Sequence, residues 1–523
     1  MNAGSELSSS TGGTTRGQWM TLLAAFLGWM FDGFEMGLFP LVGKPALRTL
    51  LATTDEKLVE PWFGMMIAVF LVGAATGGVL FGWLGDRIGR VRAMTLSVFT
   101  YAVFMGLCGI ARSVDEMFVY RFISSLGMGG EWSLGVALVM EIWPNKSRGL
   151  LAGLIGAAAN VGFLLIALIG LGLGLGVVTE ALAQFLTGIG LSQEMVAELT
   201  GNGGWRILMI VGAVPAVLTF LIRLYVPESE RWLHENSQGT TMHWATRDLL
   251  TVLVGALGSL GIIYLWRPNS DLTLPVRVGG SVLGLCLAIA GYMFPVIRFI
   301  RRAELASGSN RGEWLPVAGR MLIGACLSGV ALLGTWGSIQ WAPSWADQLV
   351  ERQSQTEGWE ESITRDARTK ARAFTQIGSG IGAIVGTMAG ALIGSTIGRR
   401  PTYLLLCLAS LGSALLFFRT NTVFGPWFLV TVFFAGGLTA SFYGWLPLYL
   451  PELFATRVRA TGQGFSFNFG RILAAVGTLQ TGHLMALFGG SYPQACTIMS
   501  LVYLVGAVII WAAPETHGHP LPE

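Results

Sequence analysis

From Gly149 to Thr179 the chain carries no charged residue at all. A helix needs only about 20 apolar residues to cross a bilayer. The stretch "GLIGAAANVGFLLIALIGLGLG" (153–174) is long enough, and so are "LLTVLVGALGSLGIIYLW" (249–266) and "VGGSVLGLCLAIAGYMFPVI" (278–297). In lipid, a run of this kind satisfies its backbone only as a helix. A β-barrel is excluded because the runs are continuous and do not alternate. Charged residues make up 12% of the 523, roughly half the share in a soluble domain. The chain therefore reads as an all-α polytopic membrane protein.

Fourteen spans are predicted, at about 18–42, 62–84, 91–110, 116–140, 149–173, 205–226, 248–266, 274–297, 319–342, 374–396, 401–420, 424–447, 459–485 and 492–513. They divide the chain into a cytoplasmic tail (1–17), a six-helix half (18–226), a central segment with two extra helices (227–318), a second six-helix half (319–513) and a short tail (514–523). The polar N-terminus, "MNAGSELSSSTGGTTRGQ", reads as a disordered tail and not as a signal peptide. "TEALAQFLTGIG" in the connection after span five reads as an interfacial helix. The five cysteines all fall in apolar segments, where they behave as small hydrophobes.

Lys and Arg placement sets the topology. The connection from Gly149 to Trp205 has neither, whereas Arg87, Arg90, Arg92, Lys146, Arg148, Arg298, Arg301, Arg302, Arg399, Arg400, Arg457 and Arg459 share one side if both termini are inside. The implied place is the cytoplasmic (inner) membrane. The segment 343–373, rich in both signs, is expected to be an outer loop with net charge near zero.

The chain also repeats itself. "GWLGDRIGRVR" (82–92) returns as "GALIGSTIGRR" (390–400), and "EIWPNKSRGLLAG" (141–153) as "ELFATRVRATGQG" (452–464). Glu141, Arg148 and Gly153 thereby match Glu452, Arg459 and Gly464. Two halves related in this way are a hallmark of transporters built from repeats. In the second half Gly378, Gly382, Gly386, Gly390 and Gly394 recur every four residues, a stripe for close helix packing.

Away from span ends, the charges inside apolar runs are Asp32, Glu35, Arg121, Glu131 and Arg471. Each costs at least ~2.5–3.5 kcal/mol at mid-bilayer, so such residues face an interior, pair, and mark a pathway. Asp32 and Glu35, at i and i+3, share a helix face. Two carboxyls close together in a low dielectric resist simultaneous ionisation. Such a pair can load a proton outside and release it inside, or form a fixed ion pair with Arg121. Glu131, about ten residues or ~15 Å deeper along its helix than Arg121, is a second proton site or a buried acid satisfied by backbone. Arg471 presents a rigid fork suited to a carboxylate. It is the candidate anion holder, the alternative being a structural pair with a facing acid. Asn468, Gln340, Trp336, Trp341, Tyr443, Trp445 and Arg121 are candidates to complete the cleft.

These motifs resemble the major facilitator superfamily. The loop "GWLGDRIGRVR" and its degraded copy carry the resemblance, and "RFISSLGMGGEW" (121–132), "PESERWL" (227–233) and "PELFATRVRATGQGFSFNFGR" (451–471) narrow it to organic-solute carriers. The D-G-aromatic-acid spacing of Asp32 and Glu35, with the two extra helices, is similar to the sialate:proton and organic acid:proton symporters. Glu35 stands where Asp is usual. The resemblance implies a latch that closes the halves on the inside, made of Gly82, Gly85, Asp86, Arg87, Gly89, Arg90, Glu141 and Arg148, mirrored by Glu452, Arg457 and Arg459.

The function expected is a secondary active importer of a small organic anion, sialate- or monocarboxylate-like, driven by proton symport. The competing readings are a neutral sugar or polyol symporter or facilitator, and a sensor that binds solute without moving it. With no Walker loop, metal cluster or nucleophile motif, an enzyme is not expected. No cofactor, metal or nucleic acid is expected either. The proton gradient supplies the driving force, the partners are a small organic acid, protons and the bilayer, and a monomer is the default.

Overall fold

The computed structural model describes residues 16–53, 55–143, 147–174, 177–214, 217, 225–238, 245–267, 271–306, 312 and 314–522. Among these residues every regular element is a helix. The first half holds α1 (Arg16–Leu50), α2 (Glu56–Ile88), α3 (Arg90–Cys108), α4 (Val114–Ile142), α5 (Arg148–Gly174), α6 (Val177–Gly188) and α7 (Gln193–Val211). A short α8 (Glu230–Ser237) precedes the central pair α9 (Leu249–Leu265) and α10 (Leu274–Ala306). The second half holds α11 (Trp314–Gly337), α12 (Ala342–Glu357), α13 (Glu361–Ile397), α14 (Arg399–Thr420), α15 (Pro426–Ala440), α16 (Phe442–Tyr449), α17 (Arg459–Leu487), α18 (Tyr492–Ser500) and α19 (Val502–Ile509). Helix starts follow local chemistry: Ser113 caps α4 by accepting from the Glu116 N–H at 3.1 Å, and Asp115 and Glu116 complement its N-terminal dipole.

Against fourteen predicted spans, eleven helical stretches among the described residues are long and apolar enough to cross a bilayer. The other three expected spans fall on α7 with the residues after it, on α9 at 17 residues, and on α17. Much of 205–226 and the tail 1–15 lie outside the described residues. The expected interfacial stretch is helical, as α6. The segment 343–373 is corrected from loop to helix: α12 and the first turns of α13 continue past the apolar window. Trp345 anchors this extension in an aromatic cluster with Phe417, Phe418 and Phe428 at 5.1–5.5 Å, and Arg368 donates twice to Asp347 at 3.0 and 2.7 Å.

Small residues decide which helices meet. In the first half α1 packs on α5, with Gly33 against the Ala159 backbone and Gly162 against the Met30 carbonyl. α2 packs on α4, with Gly77 against Leu126 and Gly129 against Ala74. The glycine stripe of α13 lies along α15 and α16, where Gly382, Gly386 and Gly390 abut the carbonyls of Phe433, Gly437 and Ser441. The halves join chiefly where α2 meets α17 and α5 meets α13, with lesser contacts of α5 on α16 and α4 on α17. The central pair forms its own hairpin, with Gly258 against Gly284. It docks on α2, where the Tyr292 and Thr76 hydroxyls lie 2.8 Å apart.

A methyl group at Gly386 would collide with the Gly437 carbonyl, whereas nothing lies within 4 Å of the same position at Gly412. Gly386→Ala should therefore lower the detergent-solubilised Tm by several degrees. Gly412→Ala should hold or raise it, because Ala favours helix by ~1 kcal/mol over Gly. A fluorescence-monitored melt of both variants tests this.

Candidate functional site

All five charges that the sequence places inside apolar runs are buried in the protein and not turned to lipid. Asp32 is 3% exposed, Glu35 2%, Arg121 2%, Glu131 0% and Arg471 4%. Asp32 and Glu35 do not pair with each other. Asp32 turns to the Glu131 carboxyl on α4, with Arg471 of α17 in electrostatic range. Glu35 sits 3.5 Å from Arg121, whose guanidinium is sandwiched by the rings of Phe39 (4.1 Å) and Phe70 (5.1 Å). Rotation about α1 explains the split: residues three apart share a face but differ by ~60° in direction. Gly28 leaves room for the Glu131 side chain, since a Cβ there would run into its carboxyl.

This cluster is poor in internal hydrogen bonds. Both Glu131 oxygens, both Glu35 oxygens, Asp32 Oδ1, Arg121 Nε and Nη1, and Arg471 Nη1 are buried with no protein hydrogen-bond partner. Glu131 is thus not satisfied by neighbouring backbone. Buried ion pairs are ordinarily hydrogen-bonded throughout, and this cluster departs from that. The arrangement can hold a proton between two carboxyls and an anion on a guanidinium.

Arg471 lies over the Phe467 ring at 5.3 Å, and Phe467 stacks on Trp132 of the first half at 3.7 Å and 10°. Tyr443 is half-buried within electrostatic range of Arg471. Asn468 reaches across the halves: its Nδ2 donates to the Gly129 carbonyl at 3.1 Å, and its side chain fills the space left by Gly78. Trp336 is buried and its carbonyl accepts from the Trp341 indole at 3.1 Å; Gln340 is half-buried at the break between α11 and α12. Trp445 packs within the second half, against Tyr403 and Tyr449 at 4.8 and 4.6 Å.

At the end of the bundle that carries the paired motifs, the halves are bolted shut. Arg90 donates to Asp86 Oδ1 at 2.6 Å, to Glu141 Oε1 at 3.4 Å and across the halves to the Thr456 carbonyl at 2.9 Å. Asp86 Oδ2 accepts from the Thr461 backbone N–H at 2.9 Å and also from its hydroxyl. Arg459 donates to Glu141 Oε1 at 3.0 Å and to the Pro522 carbonyl at 2.6 Å. In the second half Arg399 donates to Glu452 at 2.7 and 3.0 Å, and Glu452 also lies in electrostatic range of Arg148. Each glutamate therefore faces one arginine of its own half and one of the other. Gly82 allows the approach to the Ala460 carbonyl, and Gly85 gives space to Leu134. Gly89, at φ 108°, takes a conformation that L side chains rarely adopt, as does Gly398 at 103°. Arg87 lies over the Trp83 ring at 5.1 Å, and Arg457 sits in the turn Thr456–Val458.

Sequence reasoning missed several parts of this network. Glu228 accepts from the Arg90 and Val91 N–H groups at 2.9 and 3.1 Å, and the Ser229 hydroxyl donates to Glu141 at 2.5 Å. In mirror image, Glu515 accepts from the N–H groups of Arg399 and Arg400, both at 2.9 Å, and the Thr516 hydroxyl donates to Glu452 at 2.6 Å. The signal was "PES" at 227–229 recurring as "PET" at 514–516, each just past a half's last span. Burial works against the charge of Glu515, but N–H donation from Arg400, Arg399 and His517 outweighs it and holds the carboxyl below its ordinary range. Its contribution to this contact is present at neutral pH and lost as pH falls through the folded-state value.

Glu141→Gln removes the charge shared by Arg90 and Arg459. In a background with Cys108, Cys286, Cys326, Cys407 and Cys496 replaced by Ala, the variant should raise alkylation of Ser133→Cys from the latch side about tenfold, equivalent to ~1.4 kcal/mol of lost closure. Ser133 is buried beneath the latch and its carbonyl accepts from Gln463 at 2.5 Å. An unchanged rate would show that the network does not hold the gate.

Residues 20–244 and 360–523 match the family described as sugar (and other) transporters. The cis,cis-muconate transport protein of Acinetobacter baylyi is 22% identical over 94% of this chain and 92% of its own. The sialic acid transporter NanX of Escherichia coli is 29% identical over 41% of this chain and 45% of its own. The fold is shared with the proton:xylose symporter XylE, at a TM-score of 0.63 and 17% identity, covering 97% of this chain and 98% of that one. The chain is a multi-pass membrane transporter, not an enzyme, and belongs to the sugar (and other) transporter family within the major facilitator superfamily.

Proposed function

We propose that the protein imports a small organic anion, sialate- or monocarboxylate-like, across the bacterial inner membrane by proton symport, acting as a monomer with both termini in the cytoplasm. The observation that carries this reading is the placement of Arg471 in one buried cluster with Asp32, Glu35 and Glu131, on helices from both halves. A guanidinium with a buried, unpartnered Nη1 favours a carboxylate over a neutral polyol. The relatives named for muconate and sialic acid support the same class. The arginine-rich connections on one face of the chain support the orientation.

Coupling follows from competition for Arg471. With no substrate, the Asp32 carboxylate neutralises the guanidinium. An arriving substrate carboxylate takes over that role and withdraws the positive field from Asp32. A carboxyl–carboxylate contact is attractive only when one partner is protonated, so the Asp32–Glu131 pair then takes up a proton. By linkage, a bound proton strengthens substrate binding by the same factor. Proton and anion together leave the net charge of the buried cluster unchanged and remove the repulsion between its two carboxylates, which lowers the cost of rocking the halves through an occluded state. Inward opening breaks the Glu141–Arg459 and Asp86–Thr461 contacts and releases proton and anion together. Arg121, neutralised by Glu35 and held between Phe39 and Phe70, keeps the outer end of the cluster from carrying free charge.

A sugar or polyol remains the second reading, because the matched family is named for sugars and the fold is shared with a xylose symporter. Proteoliposomes with an imposed pH gradient and a panel of radiolabelled carboxylates and sugars separate the two. Arg471→Ala should abolish carboxylate uptake, and Arg471→Lys should raise KM about tenfold by losing the fork. Asp32→Asn should lose gradient-driven accumulation while keeping counterflow exchange. Glu35→Gln should lower accumulation less and strand Arg121 without its partner. Coupling unchanged in both acid variants would defeat the proton assignment, and uptake of sugars with an indifferent Arg471→Ala would favour the second reading.

A further inference from the structure

Tyr101, in the middle of α3, faces inward through α4. It is fully buried, and its hydroxyl has no hydrogen-bond partner. The route past α4 is opened by Gly127, where a Cβ would collide with the Tyr101 backbone. Ser124 and Ser97 fasten the two helices on either side: the Ser124 hydroxyl donates to the Tyr101 carbonyl at 3.1 Å, and the Ser97 hydroxyl donates to the Gly127 carbonyl. The phenol is thereby carried to the acid cluster, within electrostatic range of Glu131 first, then Asp32 and Glu35. Gly127, which faces Tyr101, lies one turn before Glu131 on α4, so an unpartnered buried donor and a carboxylate whose oxygens also lack partners share one stretch of the α3–α4 packing. A phenylalanine would fill the same space.

We propose that Tyr101 is a positioning residue of the proton site, whose hydroxyl receives the Glu131 carboxylate when the Asp32–Glu131 pair gives up its proton. This rests on the proton-coupled reading above. With the pair protonated, Glu131 is engaged by Asp32 and the phenol has no acceptor. Without the proton the two carboxylates repel, and Glu131, with its three side-chain torsions, swings toward the phenol of α3, whose neighbours Ser97 and Thr100 already donate to carbonyls. The phenol keeps its own proton throughout and supplies a hydrogen bond to the ionised form. It thereby eases release on the cytoplasmic side, where proton concentration is lower. The other charged groups around this position are accounted for. Arg121 of α4 pairs with Glu35 of α1, and Arg471 of α17 faces Asp32. Asp86 of α2 is consumed by the latch, and Arg206 of α7 donates to the carbonyls of Gly109 and Ala111 at the other end of α3. Cys108, on α3 itself, is buried two turns away near Arg121.

Attenuated-total-reflection infrared spectroscopy of the protein in liposomes, titrated with pH and without substrate, reads the C=O stretch of protonated buried carboxyls directly. Asp32→Asn and Glu131→Gln identify the band of the pair. Tyr101→Phe should move its midpoint to higher pH by about one unit, a tenfold change in proton affinity. Tyr101→3-fluorotyrosine, a stronger donor of nearly the same size, should move it to lower pH and keeps the test valid if the phenylalanine variant folds poorly. Midpoints equal to wild type in either folded variant would overturn the role of Tyr101. If the band survives both Asp32→Asn and Glu131→Gln, it is the proton-coupled reading itself that fails.

Discussion

A charge at bilayer depth must be met by another charge or by a proton, and that constraint organises this protein. The five ionisable groups within the apolar helices are shared between α1, α4 and α17, so the cluster is complete only when the halves are together. The cost of stranding any one of them is several kcal/mol. It is avoided by small residues that bring the helices close: Gly28 beside Glu131, and Gly33 and Gly162 where α1 meets α5. Packing and electrostatics are therefore one problem in this fold, with glycines setting the distances across which the charges meet.

The latch between the halves solves the same problem differently. There most of the charges are bonded, with Arg90 Nε and Arg148 Nε and Nη2 left over: Arg90, Glu141 and Arg459 form a chain of donors and acceptors, and Asp86 accepts twice from Thr461. The duplication of the halves makes this nearly symmetric, with Glu228 and Ser229 answered by Glu515 and Thr516. The symmetry breaks where Asp86 and Arg87 become Ser395 and Thr396, so the bridge from Asp86 across to Thr461 has no counterpart on the other side. A densely bonded latch at one end, next to a cluster whose carboxylates lack hydrogen-bond partners, fits the transport reading proposed above.

Much of this was legible in the residues. Asp32, Glu35, Arg121, Glu131 and Arg471 stood out because nothing else charged lies deep in the apolar runs, and the paired motifs at 82–92 and 390–400 exposed the repeat. Other features were not. The segment 343–373 reads as a polar loop because hydropathy reports solvent and lipid but not helix continuity; Trp345, buried among phenylalanines of α14 and α15, holds it helical. Glu228, Ser229, Glu515 and Thr516 look like ordinary loop residues until the chain is closed on itself. Tyr101 is one aromatic among many in apolar helices; Tyr503 is likewise buried without a partner, and what sets Tyr101 apart is its place in electrostatic range of the acid cluster.

Composition and spacing by themselves determined that the chain is helical, crosses the membrane many times, repeats its halves and keeps a few costly charges inside. These are properties of local hydrophobicity and of residue order along the chain, which need no knowledge of neighbours. Which charge meets which was decided only by tertiary structure. Asp32 turned to Glu131, and Glu35 to Arg121, although the acids are three residues apart on one helix. The reason is that a pairing depends on the rotation and depth of separate helices, and those are set by where glycines let the backbones touch.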